Sequence, residues 1–224
     1  MIKVRTRYDV ITIIPLPSEL MKNETQKIKY QSKHLSWILR HGAAQEGLSM
    51  DCAGWVNIHK LLQKIDLNLQ DLNRVIQRNN KARFEIKGDN IRACQGHSLE
   101  QLPVTQEGLE SSWKLYKPKM SDIIWHATQA CYLDSIQRDG VLRGKRSHVH
   151  LASTKESEVG KRNGAPILLK ISVKCLRNQG QEVFMSSNGV ILTRYVPPSC
   201  IFEVNDTRVN HNSSFTKAHV TNKL

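Results

Sequence analysis

The chain has 224 residues, 39% hydrophobic and 24% charged, a balance that excludes disorder of the whole and leaves room for one large or two small domains. Lys and Arg number 33 against 20 Asp and Glu, a formal net charge of +13, so nucleic acid leads the partners to consider, although such charge can also serve solubility alone. Five cysteines, Cys52, Cys94, Cys131, Cys175 and Cys200, are odd in number and scattered, which points to reduced thiols in a cytoplasmic or nuclear protein that is not secreted.

Residues 1–25 begin MIKVRTRYDVITIIPLPSEL, basic residues before a short apolar run that ends in two prolines. The run lacks a cleavage site and the length to span a bilayer, so it reads as an N-terminal extension. Helical periodicity follows: Leu35, Ile38 and Leu39 at i, i+3 and i+4 put Arg40 and His41 at a helix end. Asn57 is placed to cap a helix bearing Ile58, Leu61 and Leu62. Asn68 is placed to cap another with Leu72, Val75 and Ile76 on its buried stripe. RFEI and IRAC then flank KGDN, the pattern of a β-hairpin. Three short helices and a hairpin suggest a winged-helix lobe over residues 26–100, though spacing alone fits a ligand-free helical domain equally well.

Residues 101–118 hold Pro103, Gly108 and Pro118 with little periodicity and read as a linker. The segment 119–206 reads as an α+β sheet domain. IIWH is apolar up to its histidine, DSIQRDGVL is a helix ended by Gly140, and Pro166–Val173, Gly189–Leu192 and Ile201–Val204 are strand-like. Within RSHVHLAS, strand alternation would put Arg146, His148 and His150 on one face and Ser147, Val149 and Leu151 on the other. Residues 207–224 are polar and read as a loose tail.

Four cationic elements result: Arg40 with His41, Arg83, Arg92 in the hairpin, and the Arg146 strand. Singly each has an ordinary explanation, as a helix-end charge, a solvated arginine or a hydrogen-bonded histidine. Brought together from two lobes, their planar forks would make a phosphate site. Cys94 and His97 have the spacing of half a zinc site, but no second pair accompanies them, so no metal is expected.

The strings SKHLSWILRHGA, GLSMDCAGWVNIHKLL, NNKARFEI, IRACQGHS, WHAT, SHVHLAS and NGVILT occur in this order between about Gln31 and Val204. Together they resemble the NAD-dependent RNA 2′-phosphotransferases, enzymes that remove the 2′-phosphate left at a spliced tRNA junction. The resemblance implies a winged-helix lobe followed by an ADP-ribosyltransferase-like lobe that holds NAD. It also implies a catalytic quartet, Arg40, His41, Arg83 and Arg146, and an NAD site at His126, His150 and Val190, with Ile191 as the neighbour of the last. Thr128 and Ser153, beside the two histidines, are further nucleotide-site candidates, and His148 either contacts ligand or supports its neighbours.

By that resemblance the RNA 2′-phosphate attacks the anomeric carbon of NAD's nicotinamide ribose and expels nicotinamide, leaving an ADP-ribosylated RNA. The ribose 2″-hydroxyl then attacks that phosphate, releasing 2′-hydroxyl RNA and ADP-ribose 1″,2″-cyclic phosphate. Expected partners are therefore 2′-phosphorylated RNA, tRNA first, and NAD as consumed co-substrate, with a monomeric chain and no membrane. The alternative class is a basic winged-helix protein that binds RNA without turnover. One departure bears on this choice: Ala127 stands where the family's motif has glycine, and would weaken the cofactor site if that position requires a positive φ or close approach of the backbone to NAD.

Overall fold

A computed structural model of the chain describes residues 2–5, 11–14, 18–118, 122–162, 164–206 and 212–214, with side chains described between residues 24 and 206. In chain order the elements begin with a hairpin, β1 (Ile2–Arg5) and β2 (Ile11–Ile14), and the long helix α1 (Ser18–Trp37). This helix runs into a wide π-type turn at Ile38–Gly42. Next come β3 (Val56–Asn57), α2 (Ile58–Lys64), α3 (Leu69–Gln77), β4 (Phe84–Lys87) and β5 (Asn90–Ala93). They are followed by α4 (Gln106–Glu110), β6 (Lys114–Leu115), β7 (Ile123–Thr128), α5 (Leu133–Asp139), β8 (Val141–Leu142) and β9 (Val149–Leu151). The last are β10 (Ile167–Ser172), α6 (Val173–Asn178), β11 (Phe184–Met185), β12 (Ile191–Thr193), β13 (Tyr195–Val196), β14 (Ile201–Asp206) and β15 (Asn212–Ser214).

Local chemistry explains the boundaries. Asn57 and Asn68 accept hydrogen bonds from the amides of Lys60 and Asp71, capping α2 and α3 as their positions suggest. β4 and β5 pair antiparallel around the KGDN turn, and β3 adds to β5 to complete a three-stranded sheet. Gly140, at φ +76°, ends α5; a Cβ there would lie 2.2 Å from the carbonyl oxygen of Val196.

The second half is built from two antiparallel four-stranded sheets, β15-β14-β10-β7 and β6-β11-β12-β9. They meet where Trp125 and Ala152 exchange backbone hydrogen bonds of 2.9 and 2.8 Å. One apolar core, containing Leu151, Leu169, Ile171 and Ile191, fills this half. The other core joins the halves, because Phe184, Val190 and Leu192 pack with Leu35, Leu39, Leu72 and Leu109. The architecture is therefore mixed, α+β.

Four expectations change. The first helix begins at Ser18 rather than near residue 26, since SELMKNETQK is rich in good helix formers but carries too few apolar residues to show a period. The segment read as a linker folds: α4 and β6 lie within it, and Leu102, Val104, Leu109 and Trp113 are buried in the shared core. Cys175 and Cys200 are disulfide-bonded, joining α6 to the turn Pro198–Cys200, while Cys52, Cys94 and Cys131 are free. Of the tail expected to be loose, Asn212–Ser214 pair with Glu203–Asn205, and residues 207–211 and 215–224 lie outside the described residues. Among the described residues no helix is long and apolar enough to cross a membrane.

Candidate active site

A cleft of about 1090 Å³ lies between the helical half and the sheets, lined by Arg40, His41, Arg83, His126, Thr128, Arg146, His150 and Val190, among others. Each is fixed by local structure. Arg40 and His41 occupy the π-type turn, whose Ile38 and Leu39 are buried and anchor it in the core. The Arg40 carbonyl accepts from the Ser98 amide at 2.9 Å, and Ser98 also bridges antiparallel to Arg146, so one residue ties the two arginine backbones together. The Ser98 hydroxyl lies 2.8 Å from His41 Nδ1. Arg83 precedes β4, follows Ala82 at a positive φ of 41°, and donates from Nη1 to Asn79 Oδ1 at 2.7 Å.

Arg146 Nη1 lies 2.9 Å from His150 Nδ1. A guanidinium only donates, so His150 Nδ1 accepts and the proton of the neutral ring sits on Nε2. That N–H is buried with no hydrogen-bond partner among the described residues, as is Arg40 Nε. His126 donates from Nδ1 to the His150 carbonyl at 3.0 Å, leaving its Nε2 as an acceptor.

The electrostatics are one-sided. Arg40, Arg83 and Arg146 make no ion pair among the described residues. Burial, then the charges of Arg146 and Arg83, pull the pKa of Arg40 down to about 10, and burial lowers Arg83 and Arg146 as well. Burial followed by neighbouring arginines also lowers His41 and, well below the ordinary imidazole value, His150. For His126 burial lowers the pKa more than its bond to the His150 carbonyl raises it. Three unpaired guanidiniums crowded with neutral imidazoles form a site that an oxyanion would relax.

Several sequence expectations resolve differently. Arg92 is 2% exposed and structural: it pairs with Glu85 at 2.8 Å, donates to the Ala53 carbonyl and Ser112 hydroxyl, and lies over the Trp55 ring. His148, 1% exposed, lines the cleft together with Arg146 and His150 but lies before the regular strand, which begins at Val149. Its Nε2 meets Glu110 at 2.8 Å and its ring stands edge-on to Trp113. Ser153 lies outside the large cleft, in a shallow hollow beside Trp125 and Lys155, with its hydroxyl on that of Ser157. Val190 lines the cleft, whereas Ile191 packs into the sheet core. Ala127 has no positive φ; it sits in β7 opposite Leu168, packed with Trp125, Ala152 and Leu168, and also lines the cleft.

Sequence reading missed Ser98 and Asn79, which hold His41 and Arg83. The string IRACQGHS contains Ser98, but nothing in its spacing links it to a histidine 57 residues away. Among the described residues no group of three or more His, Cys, Asp and Glu could hold a metal ion.

Comparison with known proteins gives a consistent result. The family model described as RNA 2′-phosphotransferase, Tpt1/KptA family, matches residues 25–195. A protein of Pseudomonas syringae pv. tomato named "Probable RNA 2′-phosphotransferase" is 37% identical over 185 residues, covering 79% of this chain and 94% of its own. Proteins of the same name from Hahella chejuensis and Acaryochloris marina are 36% and 35% identical, covering 77% and 80% of this chain and 92% and 98% of theirs. The cationic cleft thus lies in a chain that belongs to the RNA 2′-phosphotransferase (Tpt1/KptA) family of transferases.

Proposed function

We propose that the chain removes the 2′-phosphate from RNA, with the splice junction of ligated tRNA as its natural substrate, by transfer to NAD in the cytoplasm or nucleus. The observation that carries this reading is the convergence of Arg40, His41, Arg83 and Arg146 in one cleft, the three arginines without a carboxylate partner among the described residues. Arg40, His41 and Arg83 grip the RNA 2′-phosphate, their fixed charges needing no reorganisation as the phosphate moves. Arg146, backed by His150, steadies the phosphate during the second displacement.

The cleft suits a dinucleotide in size, and the unpartnered Nε2–H of His150 offers it a donor. His126, Thr128, His150 and Val190 are therefore assigned to NAD, and Ser153 is withdrawn from the set because it lines a separate hollow. When bound, NAD supplies the carbon that accepts the phosphate oxygen, nicotinamide as leaving group, and the hydroxyl that completes the transfer. The same reading takes residues 26–100 as a winged-helix RNA-binding lobe with β4 and β5 as its wing. It takes residues 119–206 as an ADP-ribosyltransferase-like lobe, in a chain that acts as a monomer.

The test is a short RNA with one internal 2′-phosphate, incubated with the protein with and without NAD and followed by mass spectrometry of both products. NAD-dependent loss of the phosphate with formation of ADP-ribose cyclic phosphate is expected. RNA binding without turnover would replace the proposal with the binding-protein reading.

A further inference from the structure

The outward face of α1 carries a row of aromatic side chains that stay wholly or partly exposed. Ile28, Gln31 and Leu35 turn inward and are buried, whereas Tyr30 is 69% and Trp37 40% exposed. His34 lies between them, its ring centroid 6.1 Å from that of Tyr30 and 6.3 Å from that of Trp37. Large apolar rings on a solvent face are unusual unless something covers them.

Two observations say what covers them. The row carries positive charge: Lys29 and Lys33 are exposed on the same helix and make no ion pair among the described residues. Its last ring also packs one residue away from the candidate phosphate site. The Trp37 ring lies over Gly42, where a Cβ would come within 2.5 Å of it, and Gly42 directly follows His41 of the candidate phosphate site. Aromatic rings interleaved with lysines are what single-stranded nucleic acid requires, since every base has a π-face and every linkage a negative charge. A second copy of this chain, with a net charge of +13, would be repelled by the lysines.

We infer that Tyr30, His34 and Trp37 form a stacking platform for the bases next to the 2′-phosphorylated nucleotide, with Lys29 and Lys33 holding the backbone beside them. The inference rests on the proposed function for its substrate. The platform would let the protein favour a 2′-phosphate set within an unpaired strand over one at a bare end.

The test uses the full chain and two labelled single-stranded RNAs, each with one internal 2′-phosphate: a trinucleotide and a dodecamer. Binding is read by fluorescence anisotropy. Tyr30→Ala is expected to weaken the dodecamer about tenfold, the loss of one stacked base, and the trinucleotide by about twofold at most. Tyr30→Phe should restore binding, and the dependence of log affinity on log salt should stay as in the wild type for Tyr30→Ala but flatten for Lys33→Ala. Equal weakening of both RNAs, or of neither, overturns the platform. A change of oligomeric state by light scattering with RNA affinity intact also overturns it, and assigns the row to contact between chains. If the wild type binds the dodecamer but never removes its phosphate with NAD, the proposed function falls, while the length-dependent effect of Tyr30→Ala still upholds the platform.

Discussion

The guanidinium of Arg146 donates to His150 Nδ1 at 2.9 Å, and so one arginine fixes the tautomer of the imidazole next to it. Replacing Arg146 by Ala removes both a cation from the cleft and the group that orients His150. Phosphate transfer is expected to fall by about 10²- to 10³-fold, the scale for losing one fixed donor at a developing charge. Arg146 also lowers the His150 pKa, second only to burial, so that pKa should rise in the variant. Single-turnover kinetics and an imidazole NMR titration read the two effects separately.

Ser98→Ala leaves His41 Nδ1 without the hydroxyl it now meets. We expect transfer to slow by roughly fivefold, the effect of one hydrogen bond of about 1 kcal/mol, with thermal stability little changed. Steady-state kinetics beside a melting curve separate this positioning effect from unfolding.

Ala127→Gly restores the residue of the family's motif. Because Ala127 lies in β7 without a positive φ, glycine relieves no backbone strain, and NAD binding should gain nothing on that account even though Ala127 lines the cleft. The substitution should instead cost about 0.5–1 kcal/mol of stability, the penalty for glycine within a strand. Calorimetric titration with NAD and chemical denaturation check the two halves of this expectation.

Acid should destabilise the fold well before its carboxylates protonate. His97 is fully buried, and desolvation followed by the charge of Arg40 brings its pKa to about 3, while His126, His148 and His150 are lowered too. The unfolded chain binds these protons near pH 6.5 and the folded chain does not, so stability rises with pH between the two values and is lost as pH falls below about 6.5. His97 alone contributes a slope of up to about 1.4 kcal/mol per pH unit in that window. Denaturation midpoints from pH 7.5 to 5 measure it, and a flat profile would contradict neutral burial.

Much of the scaffold was legible because its signals are local. Asn57, Asn68, the KGDN turn and Gly140 each act within four residues of their partners, and each appears where its chemistry puts it. The quartet was suggested by resemblance alone, and the cleft brings those four residues together. What failed depends on distant contacts. Arg92 reads as a cation until Glu85, Ala53 and Ser112 surround it, and the contact of His148 with Glu110, 38 positions away, has no local signal. The disulfide likewise depends on α6 folding back onto a turn 25 residues later, which no cysteine count reveals.

Val190 has a double allegiance: it lines the cleft and it belongs to the core that the helical half shares with the sheets. A wall of the cleft is thus also a beam of the building. Neither half could be traded between proteins as a self-contained module, since cutting the chain near residue 118 would strip Phe184, Val190 and Leu192 out of the first half's interior. Variation in cofactor preference should accordingly enter through the rim of the chamber, where side chains can change without loosening the frame.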